Sequence, residues 1–222
     1  QWPRLALVRT ALRAGEVVLR APGMLALHLR DDAFEGETSV RVWNDTLHAF
    51  DMGDLAAQWF SDFLGQSARL ARFDPDAKRL ASANWTGKRE ARTAFTDAFP
   101  LLVTSTASLA ELNRRLAAGG QAAVTMERFR PNLVLDGLAD AHGEDFIATP
   151  AIDSPDGEVV IELVKPCGRC TVPDVNPETA EQGHAVADAM AAYRAEPRIG
   201  GALAFGQNAI IVAGVGHRVQ RG

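Results

Sequence analysis

The chain has 222 residues, 23 Lys plus Arg against 28 Asp plus Glu, a formal net charge of -5 and 47% hydrophobic residues. That length supports one large domain or two small ones with ample core material, and the acidic balance gives no basic footprint for nucleic acid. No apolar stretch approaches the ~20 residues of a membrane span, and two cysteines exclude a disulfide-rich scaffold and fit a reducing, cytoplasmic compartment.

The chain opens at Gln1, and "QWPRLALV" has neither the charged start nor the apolar core of a signal segment, so a trimmed or partial chain is expected. "GEVVLRAPG" reads as a strand ending in a Pro-Gly turn, and "MLALHLRD" alternates in part. "ETSVRVWND" alternates well, with Val40 and Val42 against Arg41 and Trp43, and "LHAFDMG" reads as a further strand. "DLAAQWFSDFLG" predicts a helix capped by Asp54, with Leu55, Trp59, Phe60 and Phe63 on one face and Gly65 as its stop. "RLARFD" is a strand candidate. The polar "PDAKRLASANWTGKRE" reads as a long loop and as the domain boundary, which places domains at 1–78 and 79–222.

In the second part "FPLLVTS" predicts a strand. "SLAELNRRLAAGG" predicts a helix with Ser108 as cap, Glu111 as its capping-box partner, Leu109, Leu112 and Leu116 inward, and Gly119 as the stop. "RFRPNLVLDG", "DFIATPAI" and "GEVVIELVKP" follow as strands. "NAIIVAG" is another, after a helix over "GHAVADAMAAYRAE". Many short strands with few helices predict a mainly β, α+β fold, a barrel-like β core with peripheral helices.

Cys167 and Cys170 form the one CxxC, and several chemistries are open to it. Structural zinc needs four Cys or His ligands, but His28, His48, His142, His184 and His217 are scattered. A redox pair needs a helix after the thiol, and "TVPDVNP" argues against one. A buried thiol pair at a strand end is the plainest reading. Lys165 and Arg169 flank the thiols and favour thiolate, the form a soft metal prefers. In "MERFRPNLVLDG" Arg128 and Arg130 alternate with Phe129, so a strand there presents both on one face. Pro131 and Asn132 then supply turn chemistry that suits an anion beside guanidinium groups. "FGQN" (Phe205 to Asn208) is either a turn before a strand or the amide lining of a pocket. "TSTAS" (Thr104 to Ser108) is either simple capping or an anion site at a helix N-terminus.

"FPLLVTSTASLAELN", "RFRPNLVLDG", the Glu144-Asp145 pair, "VKPCGRCTVPDVNPETA", the Tyr193-Arg194 pair and "FGQN" stand in an order that resembles the MOSC family, the molybdenum cofactor sulfurase C-terminal domains. The resemblance is nearest to the bacterial N-hydroxylated-purine reductases and the mitochondrial amidoxime reducing component. It spans Phe95 to Gly214, with residues 1 to about 78 similar to part of the N-terminal β-barrel region of such proteins. It implies a MOSC β-barrel whose metal ligand and catalytic centre is Cys170, with Cys167 a bystander. It further implies a molybdopterin cofactor held by Arg130, Asn132 and Arg169, by the segment Ser105, Thr106, Ala107 and Ser108, and by Phe205 and Gln207. The implied activity is reduction of an N–O bond in a small N-hydroxylated compound. The electrons come from an external donor, a ferredoxin-like 2Fe-2S domain or a reductase, since the chain carries no flavin fingerprint or iron–sulfur cysteine set. The alternative is a module that carries cofactor or sulfur without reductase activity. Asp174 and Glu178, just past Cys170, are candidates to relay protons, against the plainer reading of solvated loop carboxylates. Two departures stand out: the family's basic-Ser motif that precedes this region is missing, and the chain stops before the short closing strand.

Overall fold

Short alternating segments between glycine and proline turns favour strands over long helices. The computed structural model, which describes residues 2–220, sorts them into two compact units. One comprises residues up to Arg79 with Val175–Gln182, the other Leu80–Asp174 with the residues from Gly183 on. In the first unit β1 (Arg9–Arg13), β2 (Glu16–Arg20) and β3 (Leu27–Arg30) form an antiparallel sheet. β4 (Gly36–Val42) and β5 (Asp45–Asp51) form a second, which β6 (Ala71–Phe73) joins after the helix α1 (Gly53–Leu64). Leu19 and Leu27 pack with Ala56 and Trp59 of α1, and the Trp59 indole donates to the Leu25 carbonyl at 2.7 Å. Arg9 Nη2 donates to the Pro177 carbonyl at 3.2 Å, so the late segment is tied to β1.

The start of α1 corrects the sequence expectation. Asp54 lies inside the first turn, and the amides of Gly53 and Asp54 are met from outside by Asp51 Oδ1 at 2.9 Å and Glu35 Oε2 at 3.1 Å. Leu55 is 68% exposed, while Trp59 and Phe63 are buried as expected. Gly65, at φ +72°, ends the helix.

The second unit begins with a short helix, α2 (Ala83–Thr86), inside the stretch expected as loop. It continues through β7 (Leu101–Ser105), α3 (Thr106–Ala118), β8 (Leu133–Leu135), β9 (Ala151–Ile152), β10 (Val159–Gly168), α4 (Ala185–Ala191), β11 (Ala195–Glu196) and β12 (Ala202–Ala213). The sheet order is β8-β7-β12-β10-β9, with β11 also on β12; β7 and β8 are parallel and the other pairs antiparallel. Register shifts along β10 and β12 bend both strands, and the sheet curls as a half-barrel. The fold is mainly β with helices outside the sheet, as the sequence implied. Leu112 and Leu116 of α3, Val186 and Met190 of α4, Phe129 and Phe205 form one core cluster.

Ser105, not Ser108, caps α3: its hydroxyl accepts from the Ser108 amide at 3.1 Å. Ser108 lies one turn in and is fully buried, and Glu111 pairs with Arg114 and Arg115 instead of closing a capping box. The segment with Arg128 and Arg130 is not a strand. Met126–Arg128 is a 3-10 turn, and Arg130 sits at φ +55°, a left-handed conformation that costs an L-residue about 1–2 kcal/mol. "DFIATPAI" likewise gives a 3-10 turn, Gly143–Phe146, and only the two-residue β9.

"FGQN" lies within β12 rather than before it. Gly206, at φ +77°, brings its Cα so near β7 that an added Cβ would stand 2.5 Å from the Val103 carbonyl oxygen. Gly206→Ala is therefore expected to cost about 1–3 kcal/mol more than Gly137→Ala. Gly137 has a similar φ of +76° but open space around it. Urea unfolding of the two variants measures the difference.

Candidate functional site

The site is framed by β12, which pairs with β7 on one side and β10 on the other. Gln207 stands opposite both Val103 and Pro166, and Ala204 opposite Gly168, so the end of β10 runs alongside Phe205 and Gln207; it carries Cys167, and Cys170 follows two residues past its end. Asn132 is fastened to the outer side of β7: its amide donates to the Leu102 carbonyl at 2.9 Å and its Oδ1 accepts from the Leu102 amide at 2.8 Å. Its side-chain nitrogen is left over, and the residue is exposed.

The two thiols differ. Cys170 is exposed, and its sulfur has no protein partner among the described residues. Cys167 is half-buried and accepts from Arg169 Nη1 at 3.1 Å. Arg169 also donates through Nη2 to the Phe129 carbonyl at 2.9 Å, while its Nε is buried with no partner. Lys165, expected beside the thiols, instead lies over the rings of Trp85 and Phe99, 5.4 Å and 5.8 Å from their centroids. Arg130, next to Phe129, is exposed and its guanidinium is unpaired among the described residues. Phe129 stacks on Phe205 with centroids 3.9 Å apart.

Behind this surface lie two buried polar networks. Ser105 Oγ is 2.7 Å from Glu144 Oε2, and Ser108 Oγ is 2.7 Å from Oε1; all three residues are fully buried. The His142 amide donates to Ser108 Oγ at 2.9 Å. In the second network Asp145 accepts from Gln207 Nε2 at 2.7 Å and from Arg194 Nη2 at 2.8 Å, and Arg194 Nε donates to the Ala204 carbonyl at 2.8 Å. Both networks start from the same 3-10 turn, which locks that turn to α3 on one side and to β12 on the other. Neither pair of residues was singled out in the sequence as part of a site. The signal available was their place in the motif order, as Glu144-Asp145 and Tyr193-Arg194.

His142 and Tyr193 stand beside these networks with ring centroids 5.5 Å apart, and both imidazole nitrogens and the phenol oxygen are buried without partners. Burial, with Arg194 nearby, holds His142 below its ordinary value of 6.5 against the opposing pull of Glu144, Asp145 and Glu111. Burial likewise raises the Tyr193 phenol.

The predicted site residues thus fall into two groups. Cys170, Arg169, Arg130 and the Asn132 amide nitrogen keep unused donor or ligand capacity. Ser105, Ser108, Phe205 and Gln207 are buried and committed to protein partners; Thr106 donates to Asp136 at 2.6 Å, and Ala107 is half-buried in the first turn of α3. Asp174, a candidate proton relay, is buried, and its Oδ1 accepts from the Val186 and Ala187 amides at 3.0 Å and 3.2 Å, so it caps α4. Glu178 is exposed.

A thiol with no partner beside a buried, unpartnered guanidinium N–H fits an anionic, sulfur-rich metal group. Among the described residues no set of three or more His, Cys, Asp or Glu side chains converges. No helix among the described residues is long and apolar enough to cross a membrane.

Residues 90–220 match the MOSC domain family and residues 1–67 the MOSC N-terminal beta barrel domain family. The chain is 34% identical over 184 residues to mitochondrial amidoxime reducing component 2 of Bos taurus and 33% identical over 184 residues to that of Homo sapiens. Each alignment covers 81% of this chain and 52% of the relative, so the chain spans about half the length of the curated relatives it matches. A solution structure of a Bordetella bronchiseptica protein is 40% identical over 33% of this chain and 60% of that one, at a TM-score of 0.30, too low to inform the fold.

Two outcomes follow from the buried groups. Glu144→Ala removes the carboxyl acceptor that both serine hydroxyls share and leaves a cavity, and is expected to cost about 2–4 kcal/mol in urea unfolding, with Glu144→Gln costing less. The unfolded chain takes up a proton at His142 near pH 6.5 that the folded chain resists. Stability from this group is therefore present above pH 6.5 and lost as pH falls through the lower folded value. Melting temperatures between pH 7.5 and pH 5 are expected to fall less steeply in His142→Gln than in wild type.

Proposed function

The chain belongs to the MOSC domain family, and from that premise we propose that it binds a molybdenum cofactor through Cys170 and reduces N-hydroxylated compounds. The observation that carries this reading is the exposed Cys170 thiol directly after Arg169; among the described residues that thiol has no partner and the buried Arg169 Nε–H no acceptor. The relatives it resembles are amidoxime reducing components, which supports a substrate with an N–O bond.

The cofactor, when bound, supplies a two-electron centre able to take oxygen from such a bond. The rest falls to this chain. Cys170 provides the single thiolate donor of a soft ligand set. Arg169 and Arg130 provide permanent positive charge for the anionic parts of the cofactor, and Asn132 adds a neutral donor from a side chain fastened to β7. The left-handed backbone at Arg130 is a cost the fold retains at the place where its unpaired guanidinium is displayed. The Asp145–Arg194–Gln207 network ties β12, which pairs with the end of β10, to the Gly143–Phe146 turn. Electrons come from an external donor.

The test is molybdenum and pterin content of purified wild type and Cys170→Ala, together with reduction of an aromatic amidoxime using a reduced viologen dye. Wild type is expected to carry both metal and pterin and to turn over, and Cys170→Ala to lose metal and activity while folding normally. Metal retained in Cys170→Ala overturns the ligand assignment. Cofactor bound by wild type without turnover replaces the reductase reading with that of a carrier.

A further inference from the structure

Cys167 precedes the proposed ligand by three residues and has no obvious task in the sequence. The geometry gives it one. Arg169 is held at four points: its backbone amide donates to the Leu203 carbonyl at 2.7 Å, Nη2 donates to the Phe129 carbonyl at 2.9 Å, Nη1 donates to Cys167 Sγ at 3.1 Å, and the guanidinium lies 5.7 Å from the centroid of the Phe129 ring. Phe129 is itself fixed by its stack on the buried Phe205. Two of the three guanidinium nitrogens are therefore tied to protein atoms, and the third, Nε, is buried without an acceptor. A planar fork fastened at two corners cannot turn about its axis, so the direction of the remaining N–H is set by the fastenings. Removing one of them frees that rotation.

We propose that Cys167 is a positioning residue, whose sulfur fixes the Arg169 guanidinium so that its Nε–H and its full charge serve the anionic group held beside Cys170. The inference rests on the cofactor reading above. A thiol suits this task. Its sulfur accepts a hydrogen bond weakly, whereas a carboxylate at the same place would form a salt bridge and neutralise the arginine. The Cys167 S–H is directed to its neighbour's carbonyl, Gly168 O, at 4.0 Å, which leaves a sulfur lone pair for Nη1.

The test compares Cys167→Ala, Cys167→Ser, Arg169→Ala and the Cys167→Ala/Arg169→Ala double variant. The readouts are the rate at which molybdopterin is lost from the purified protein and the urea stability of the cofactor-free forms. Cys167→Ala is expected to lose cofactor about tenfold faster than wild type, the worth of one hydrogen bond to a charged group. Cys167→Ser, whose oxygen also accepts, is expected to stay within about twofold of wild type. Adding Cys167→Ala to Arg169→Ala is expected to change nothing further, and the cofactor-free forms to unfold alike. Unchanged retention in Cys167→Ala overturns the role. So does an equal loss in the Arg169→Ala background, because the effect then does not pass through the arginine. Wild type that holds no molybdopterin overturns the cofactor reading itself.

Discussion

A carboxyl group shut away from water needs donors close by, and Glu144 finds them in Ser105 and Ser108 at the start of α3. Much of the second unit is positioned by that need. The serines fix where β7 ends and α3 begins, and the same turn that buries Glu144 delivers Asp145 to Arg194 and Gln207. Gln207 lies in β12, and β12 pairs with both β7 and the end of β10, which carries Cys167 and leads to Cys170. A polar residue deep in the interior thus reaches the surface thiol through a short series of bonded contacts.

The β-rich class, both long helices and most strands could be read from alternation, glycine stops and turn chemistry. The misreadings share one cause: local rules cannot see a partner far away in sequence. Ser108 looks like a cap because it precedes an apolar run, but Glu144, 36 residues on, draws it inside and leaves the cap to Ser105. "FGQN" looks like a turn because of its glycine. In the fold that glycine is the only residue type that tolerates β7 at so close a distance. Arg128 and Arg130 alternate as a strand would, yet Phe129 must enter the core against Phe205, and the chain turns on either side to place it there.

The candidate site was legible as a set of residues but not as a division of labour. Motif order marks Arg130, Asn132, Arg169 and Cys170 in the same way as Ser105, Ser108, Phe205 and Gln207. Burial separates them: the first four present unused hydrogen-bonding or ligand capacity, and the second four are consumed in holding the frame. The CxxC divides along the same line, since one sulfur meets a guanidinium and the other meets no protein group among the described residues. Sequence spacing treats the two cysteines as equals, and only the placement of Arg169 breaks the symmetry.

The pairing of β7 with β12 also bears on how the chain is made. Val103 meets Gln207, about a hundred residues later, so during synthesis β7 waits for its main partner. At ~5–20 residues per second that wait is roughly 5–20 s. Until then Leu101, Leu102 and Val103 form an apolar strand whose β12-facing edge is open, because the short parallel β8 pairs with the other edge. The first unit waits as well, because Val175–Gln182 belongs to it. Neither unit is complete until most of the chain has left the ribosome, so strand edges that are paired in the finished fold stay open through much of translation.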